Sequence, residues 1–237
     1  MHARHHLIWL SDAGWQRAQA NAADARQREA MAHWQRNRWP AVVRRADVDA
    51  DAALGEVCAG IALPPDAQGN KPRIALRVPA SEVAAVRAPF LLRDIAAARL
   101  PGLPAAWQDG MAQLHEAMAR EGIALAVFGS LAWQAVTGQH YLRAGSDIDL
   151  LFEPASREQL ALGVRQLAYQ AMFLPLDGEI VFPGGGAVSW KEWRQVAVKG
   201  KDPDNQVLLK TPASVRLARV GELEASLPAQ GGSRCAA

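Results

Sequence analysis

Asp147 and Asp149, separated by Ile148, are the residues of this chain whose types and spacing most clearly suit chemistry. They open an apolar run that continues Leu150-Leu151-Phe152. Side chains two apart on a strand project from one face, so both carboxylates would emerge together while Ile148 and Leu150 enter a core. Neighbouring carboxylates repel, and a divalent cation relieves the repulsion. A hard ion such as Mg²⁺ (or Mn²⁺) takes one or two carboxylates and fills its remaining positions with water and substrate phosphates. The expected chemistry is on phosphate.

Two other segments complete the set. Gly129-Ser130 follows the apolar run Leu125 to Phe128 and precedes a helical stretch. Backbone N–H groups at a helix start attract anions, glycine admits a phosphate closely, and Ser130 adds a hydroxyl donor. A two-metal phosphoryl or nucleotidyl transfer also needs a third carboxylate. Leu176-Asp177-Gly178-Glu179-Ile180-Val181-Phe182 offers two on a later strand. Alternation puts Asp177 and Glu179 on the same face, so the period cannot choose between them. Glu179, deeper in the apolar run, is preferred as metal ligand. Arg143, Lys191 and Lys199 are candidate phosphate contacts, and Arg194 and Lys210 lie in the same basic stretch beyond the third acid.

The elements that must hold these residues read as α+β. The spacing predicts strands at Leu7 to Leu10, Ala41 to Arg44, Leu54 to Leu63 and Arg73 to Val78, with helix in Gly14 to Arg38. Ser81 to Val86 and Arg93 to Leu100 read as short helices. Pro101-Gly102-Leu103-Pro104 is the clearest punctuation. It suggests an amino-terminal domain over 1–100, a catalytic domain over 105–227 and a flexible tail over 228–237. In the second part a helix is expected from Ala105 to Gly122 on the spacing of Trp107, Met111, Leu114 and Met118. Next come a strand at 124–128, a helix from Leu131 to Thr137, a strand at 147–152 and a helix from Ser156 to Met172. A hairpin is expected from Leu176 to Phe182 and Ala187 to Trp193. Further strands are expected at Arg194 to Lys199 and Gln206 to Lys210, and a helix start at Thr211-Pro212.

Composition narrows the class. Half of the 237 residues are hydrophobic, enough for one large or two small domains, and the formal charge is only +2. So even a balance argues against a partner bound through a basic face, and no nucleic acid is expected. The two cysteines, Cys58 and Cys235, lack metal-ligand spacing and read as unpaired thiols in a reducing compartment. No apolar run reaches the ~18 residues of a membrane span, and Leu7 to Leu10 is too short for a signal peptide. A soluble cytoplasmic protein is expected.

Gly129-Ser130, Asp147-Ile148-Asp149 and the later strand acid resemble the nucleotidyltransferase superfamily that includes DNA polymerase β. The sixteen residues between Ser130 and Asp147 exceed the spacing of compact members. The string Phe128-Gly129-Ser130-Leu131-Ala132-Trp133-Gln134, with Thr137-Gly138, Tyr141-Leu142-Arg143 and Gly145-Ser146-Asp147-Ile148-Asp149-Leu150-Leu151, is similar to one branch, the phosphoribosyl-dephospho-CoA transferases. These are the holo-acyl-carrier-protein synthases of malonate decarboxylase. Arg4 to Leu10, Trp39 to Arg45, and Asp177-Gly178-Glu179 with Trp190-Lys191-Glu192-Trp193 fit the same branch, so the likeness runs to about Leu217.

The resemblance implies a nucleotidyltransferase-fold mixed sheet with flanking helices, preceded by a smaller α+β domain for substrate or carrier recognition. It implies triphosphoribosyl-dephospho-CoA as donor and a serine of the acyl carrier subunit of malonate decarboxylase as acceptor, with pyrophosphate released. Asp147, Asp149 and Glu179 (or Asp177) would hold the metal or draw the serine proton, and Gly129 and Ser130 would hold the β- and γ-phosphates. Two alternatives stand beside it: a nucleotidyltransferase using an ordinary NTP on a small molecule, RNA or protein, and a non-catalytic binding module of the same fold.

Overall fold

The computed structural model describes residues 2–47, 55–98, 100–143, 145–198 and 202–228. The chain is α+β and divides into two compact units. The first holds Met1–Pro89, Val136–Tyr141 and Pro212–Ser214; the second holds Phe90–Ala135, Leu142–Thr211 and Val215–Ala237. The division falls at Pro89/Phe90, ahead of the Pro101–Pro104 segment that sequence punctuation favours.

In the first unit, strands β1 (Leu7–Leu10), β2 (Ala41–Val43), β3 (Glu56–Ala62), β4 (Arg73–Pro79) and β5 (Val83–Arg87) form one antiparallel sheet in the order β4-β3-β2-β1-β5. Helices α1 (Asp12–Ala20) and α2 (Ala25–Arg36) each begin on a side-chain cap, Ser11 accepting from Gly14 N and Asp24 from Gln27 N. Such caps stabilise a helix by about 1 kcal/mol each. The helices bury Trp15, Met31 and Trp34, and the strands bury Leu7, Ile8, Ile61, Ile74 and Val78. Ser81 to Val86 is not a helix. A short 3₁₀ turn at Ala80–Glu82 leads into β5, because pairing with β1 (Ile8 opposite Val86) satisfies its backbone. Alanines at 84 and 85 give the segment a local helical bias that this pairing overrides.

One charged cluster sits on this sheet. Arg44 binds the Asp47 carboxylate through its guanidinium, Arg77 Nε reaches it at 2.8 Å, and Arg44 Nε donates to Ala59 O at 3.0 Å. The Arg44 hydrogen bonds, followed by those of Arg77, hold Asp47 well below the usual carboxylate range against the opposing effect of burial. A depressed folded pKa stabilises the fold above the unfolded value of about 3.9, and the contribution fades as pH falls toward the folded value. Asp47→Asn is therefore expected to lower the urea midpoint of the whole chain at pH 7, with a smaller difference at pH 3. Equal midpoints at pH 7 would contradict this. Cys58 is a buried free thiol beside the cluster, and Cys235 lies outside the described residues.

The second unit carries a seven-stranded mixed sheet. Its strands are β6 (Phe90–Leu91), β7 (Leu125–Val127), β8 (Ile148–Phe152), β9 (Leu176–Val181), β10 (Ala187–Ser189), β11 (Gln206–Lys210) and β12 (Val215–Arg219), in the order β12-β11-β10-β9-β8-β7-β6. Among the described residues only the β8–β9 pair is parallel. A parallel pair needs a crossover, supplied here by helix α6 (Arg157–Gln170), capped by Ser156 accepting from Gln159 N. Helices α3 (Leu92–Ala98), α4 (Ala105–Arg120), α5 (Gly129–Thr137), α7 (Trp190–Val198) and α8 (Val220–Ala225) complete the unit. Met111, Leu114 and Met118 on α4 are fully buried. Ile148, Leu150 and Phe152 pack in the same core with Leu176, Ile180, Val188 and Leu209.

Three expectations change here. The second hairpin strand ends at Ser189, and Arg194 onward is helix rather than strand. Trp190 and Trp193, three apart, both enter the core, which requires the helical period. Thr211-Pro212 does not start a helix. The segment joins β11 to β12, with Lys210 opposite Val215. Among the described residues no helix is long and apolar enough to cross a membrane.

Candidate active site

β8 carries Asp149, and Asp147 immediately precedes it, with the alternation that a strand requires. Ile148 and Leu150 are buried, Asp147 is exposed and Asp149 is partly buried. The strand is tied at its start by Ile148 N donating to Pro175 O at 2.8 Å, and Asp149 O accepts from Phe128 N at 3.0 Å.

That second bond brings the end of β7 against the aspartate strand, and Gly129 follows at once. Gly129 has φ +66°, a conformation that L side chains resist, and a Cβ there would overlap the Asp149 carboxylate. The start of α5 and Asp149 thus approach more closely than any other residue at 129 would allow. Gly129 and Ser130 form the first turn of a nine-residue helix, whose leading N–H groups carry partial positive charge. A carboxylate facing a helix start is stabilised by it, and a metal-bound phosphate brought to the same place meets the same field.

The register of β8 on β9 gives the two acids different neighbours. Asp149 pairs with Asp177, and Leu151 with Glu179. Gly178, between the acids, has φ +138°, and a Cβ there would strike the Leu150 backbone, so the parallel pair closes only on glycine. Asp177 and Glu179 share a face but not an environment. The Asp177 side chain is 41% exposed, accepts from Gly178 N at 2.8 Å and has Lys191 Nζ at 3.7 Å. The Glu179 side chain is 7% exposed and accepts from Lys210 Nζ at 2.9 Å. Among the described residues, no three His, Cys, Asp or Glu side chains are grouped closely enough to hold an ion by themselves. Two hard carboxylates, at the residue before β8 and on the strand itself, still suit a Mg²⁺ that keeps its other positions for water and substrate oxygens.

The segment between Ser130 and Asp147 is pinned at several points. Buried Gln134 donates from Nε2 to Pro101 O at 3.0 Å and accepts from Leu142 N at 3.2 Å. Buried Ser146 accepts from Arg143 N at 2.9 Å, closing a turn just before Asp147. Arg143 is exposed on that turn. Val136–Tyr141 belongs to the first unit, where Tyr141 is fully buried and donates its hydroxyl to Ala62 O at 2.8 Å. Lys191 stands beside Asp177 with its ammonium over the Trp190 ring, and Lys199 lies outside the described residues. Trp133 is core, and His140 is exposed on its loop.

Sequence reasoning did not single out Gln134, Ser146 or the particular role of Lys210. The first had a signal: an amide inside the apolar stretch Leu131 to Ala135 must find buried partners. Lys210 had none, since its partner stands two strands away.

Residues 3–89 match the model of the phosphoribosyl-dephospho-CoA transferase MdcG N-terminal domain, and residues 91–220 match that of its C-terminal domain. The phosphoribosyl-dephospho-CoA transferase of Bradyrhizobium diazoefficiens is 37% identical over 192 residues, 80% of each chain. That of Xanthomonas euvesicatoria pv. vesicatoria is 36% identical over 220 residues, 92% of this chain and 94% of the relative. A Pseudomonas putida protein of the same name is 29% identical over 183 residues, 75% of this chain and 78% of the relative. No solved structure matches the chain significantly. A transferase built from two α+β domains in tandem is the class that these matches and the fold define together. Both models and the relatives agree on the family: the chain belongs to the phosphoribosyl-dephospho-CoA transferases.

Proposed function

We propose that this chain moves the phosphoribosyl-dephospho-CoA group from triphosphoribosyl-dephospho-CoA to a serine hydroxyl on the acyl carrier subunit of malonate decarboxylase. The serine oxygen bonds to the α-phosphorus, the bond from that phosphorus to the bridging oxygen breaks, and pyrophosphate leaves. The superfamily is that of the nucleotidyltransferases. The observation that carries the reading is the contact between the start of α5 and Asp149, too close for any side chain at Gly129.

Asp147 and Asp149 would hold Mg²⁺ or Mn²⁺, which when bound neutralises phosphate charge and aligns attack with departure. The chain's own groups do the rest. N–H groups of the first turn of α5, with the Ser130 hydroxyl, bind the β- and γ-phosphates. Asp177, opposite Asp149 and partly exposed, would complete the set or receive the serine proton. Arg143 and Lys191, both on the surface of the same unit, supply positive charge for the triphosphate, and Lys199 would be a further contact.

The test is to incubate the chain with Mg²⁺ and the carrier subunit, adding either triphosphoribosyl-dephospho-CoA or ATP, and weigh the carrier. A mass gain from the CoA derivative with release of pyrophosphate is expected. Modification from ATP alone would overturn the proposal in favour of an ordinary nucleotidyltransferase.

A further inference from the structure

We propose that Glu179 is a positioning residue that aims Lys210, and that Lys210 binds the phosphate end that leaves as pyrophosphate. The inference rests on the proposed function and reassigns the acid that the sequence favoured as a metal ligand.

The asymmetry of burial comes first. Glu179 is 7% exposed at its side chain while Lys210 is 36% exposed, and they meet at 2.9 Å. A carboxylate so buried must be compensated, and the ammonium does that. The pair therefore keeps its anionic member inside and shows its cationic member to solvent. A metal ligand needs the opposite arrangement, with its oxygens presented outward, as at Asp177. An ammonium at hydrogen-bond distance also repels a divalent cation approaching the same carboxylate.

Sheet register supplies the second argument. Ser189 lies opposite Glu179, and Ala187 lies opposite both Val181 and Lys210. Side chains opposite one another share a face, so Asp149, Asp177, Glu179 and Lys210 all rise from the same side of the sheet. Lys210 begins on β11, but its ammonium reaches back diagonally over β10 to Glu179 on β9. That places the charge over the strand next to β8, which bears Asp149 and follows directly on Asp147. A lysine held in one rotamer loses less freedom on meeting a phosphate than a free one, and the carboxylate supplies that restraint.

The test uses the full chain and two binding measurements: calorimetry with inorganic pyrophosphate in Mg²⁺, and Mn²⁺ affinity by electron paramagnetic resonance. Lys210→Met, and Glu179→Gln combined with Lys210→Met, should each weaken pyrophosphate about tenfold, and Lys210→Arg by no more than about threefold. Glu179→Gln alone should weaken pyrophosphate several-fold, roughly three to ten. Mn²⁺ affinity should stay within about twofold in all four, whereas Asp149→Asn should lose it by more than about tenfold. Lys210→Met strands a buried carboxylate, so the double variant carries the test if that single variant fails to fold. Loss of Mn²⁺ in Glu179→Gln to the extent seen in Asp149→Asn would make Glu179 a metal ligand and overturn the assignment. Wild-type pyrophosphate affinity in the double variant would reduce the pair to a structural one, and a wild type that does not bind pyrophosphate would also overturn it. Failure of the underlying function is separate, because it shows as an unmodified carrier with the wild-type chain.

Discussion

Replacing Asp149 by Asn is expected to lower the transfer rate by at least about three orders of magnitude, equivalent to ~4 kcal/mol of transition-state stabilisation. Asn has the size and shape of Asp, so the close fit under Gly129 is retained, and only the charge is removed. A neutral amide is a poor ligand for a hard divalent ion, and the phosphate charge is then left uncompensated. Stability should change little, because the relief of one of two neighbouring negative charges is offset by the lost interaction with the start of α5. Asp147→Asn is expected to behave alike. The rate of carrier modification, with the melting temperature from circular dichroism, checks both halves. Activity above about a tenth of wild type in either variant would mean that the metal site has been misplaced.

Gly129→Ala comes next in size, and it acts without touching an ionisable group. The residue sits at φ +66°, which costs an alanine ~1 kcal/mol or more, and its methyl group would occupy the space of the Asp149 carboxylate. The carboxylate must turn or the helix start must back away. A misplacement of about 1 Å at a reacting centre costs roughly a hundredfold in rate, and that is the expected loss. The melting temperature should fall by only a few degrees, roughly 2–4 °C per kcal/mol for a chain of this size. Because both substitutions act on one contact, Gly129→Ala added to Asp149→Asn should cost little further activity. Wild-type turnover in Gly129→Ala would show that the closeness of α5 to Asp149 has no catalytic use.

Much of this site could be read before any coordinates, and the reasons are local. Asp147 and Asp149 alternate with buried Ile148 and Leu150, and a period of two is readable within five residues. Gly129-Ser130 marks a strand-to-helix junction by chemistry alone. Between Asp177 and Glu179 the strand period offers no choice, since both belong to one face, and depth in the apolar run favours Glu179 as the metal ligand. Pairing of β8 with β9 separates them: Asp149 faces Asp177, and Glu179 turns to Lys210. Pairing register is a property of two segments, and no single stretch encodes it. Two of the misread elements share that cause. β5 and β12 are edge strands whose alanines and arginines carry little strand propensity, and each is held by its neighbour. At α7 the signal was present in the spacing of Trp190 and Trp193, but the glycine-rich turn before it suggested that the hairpin strand ran on.

The most direct test is the position of Mn²⁺ located by anomalous diffraction from crystals of the full chain grown with pyrophosphate. A peak within about 2.2 Å of carboxylate oxygens of Asp147 and Asp149 is expected, with Glu179 still on Lys210. Ions coordinated by Glu179, or bound away from Asp147 and Asp149, would contradict it.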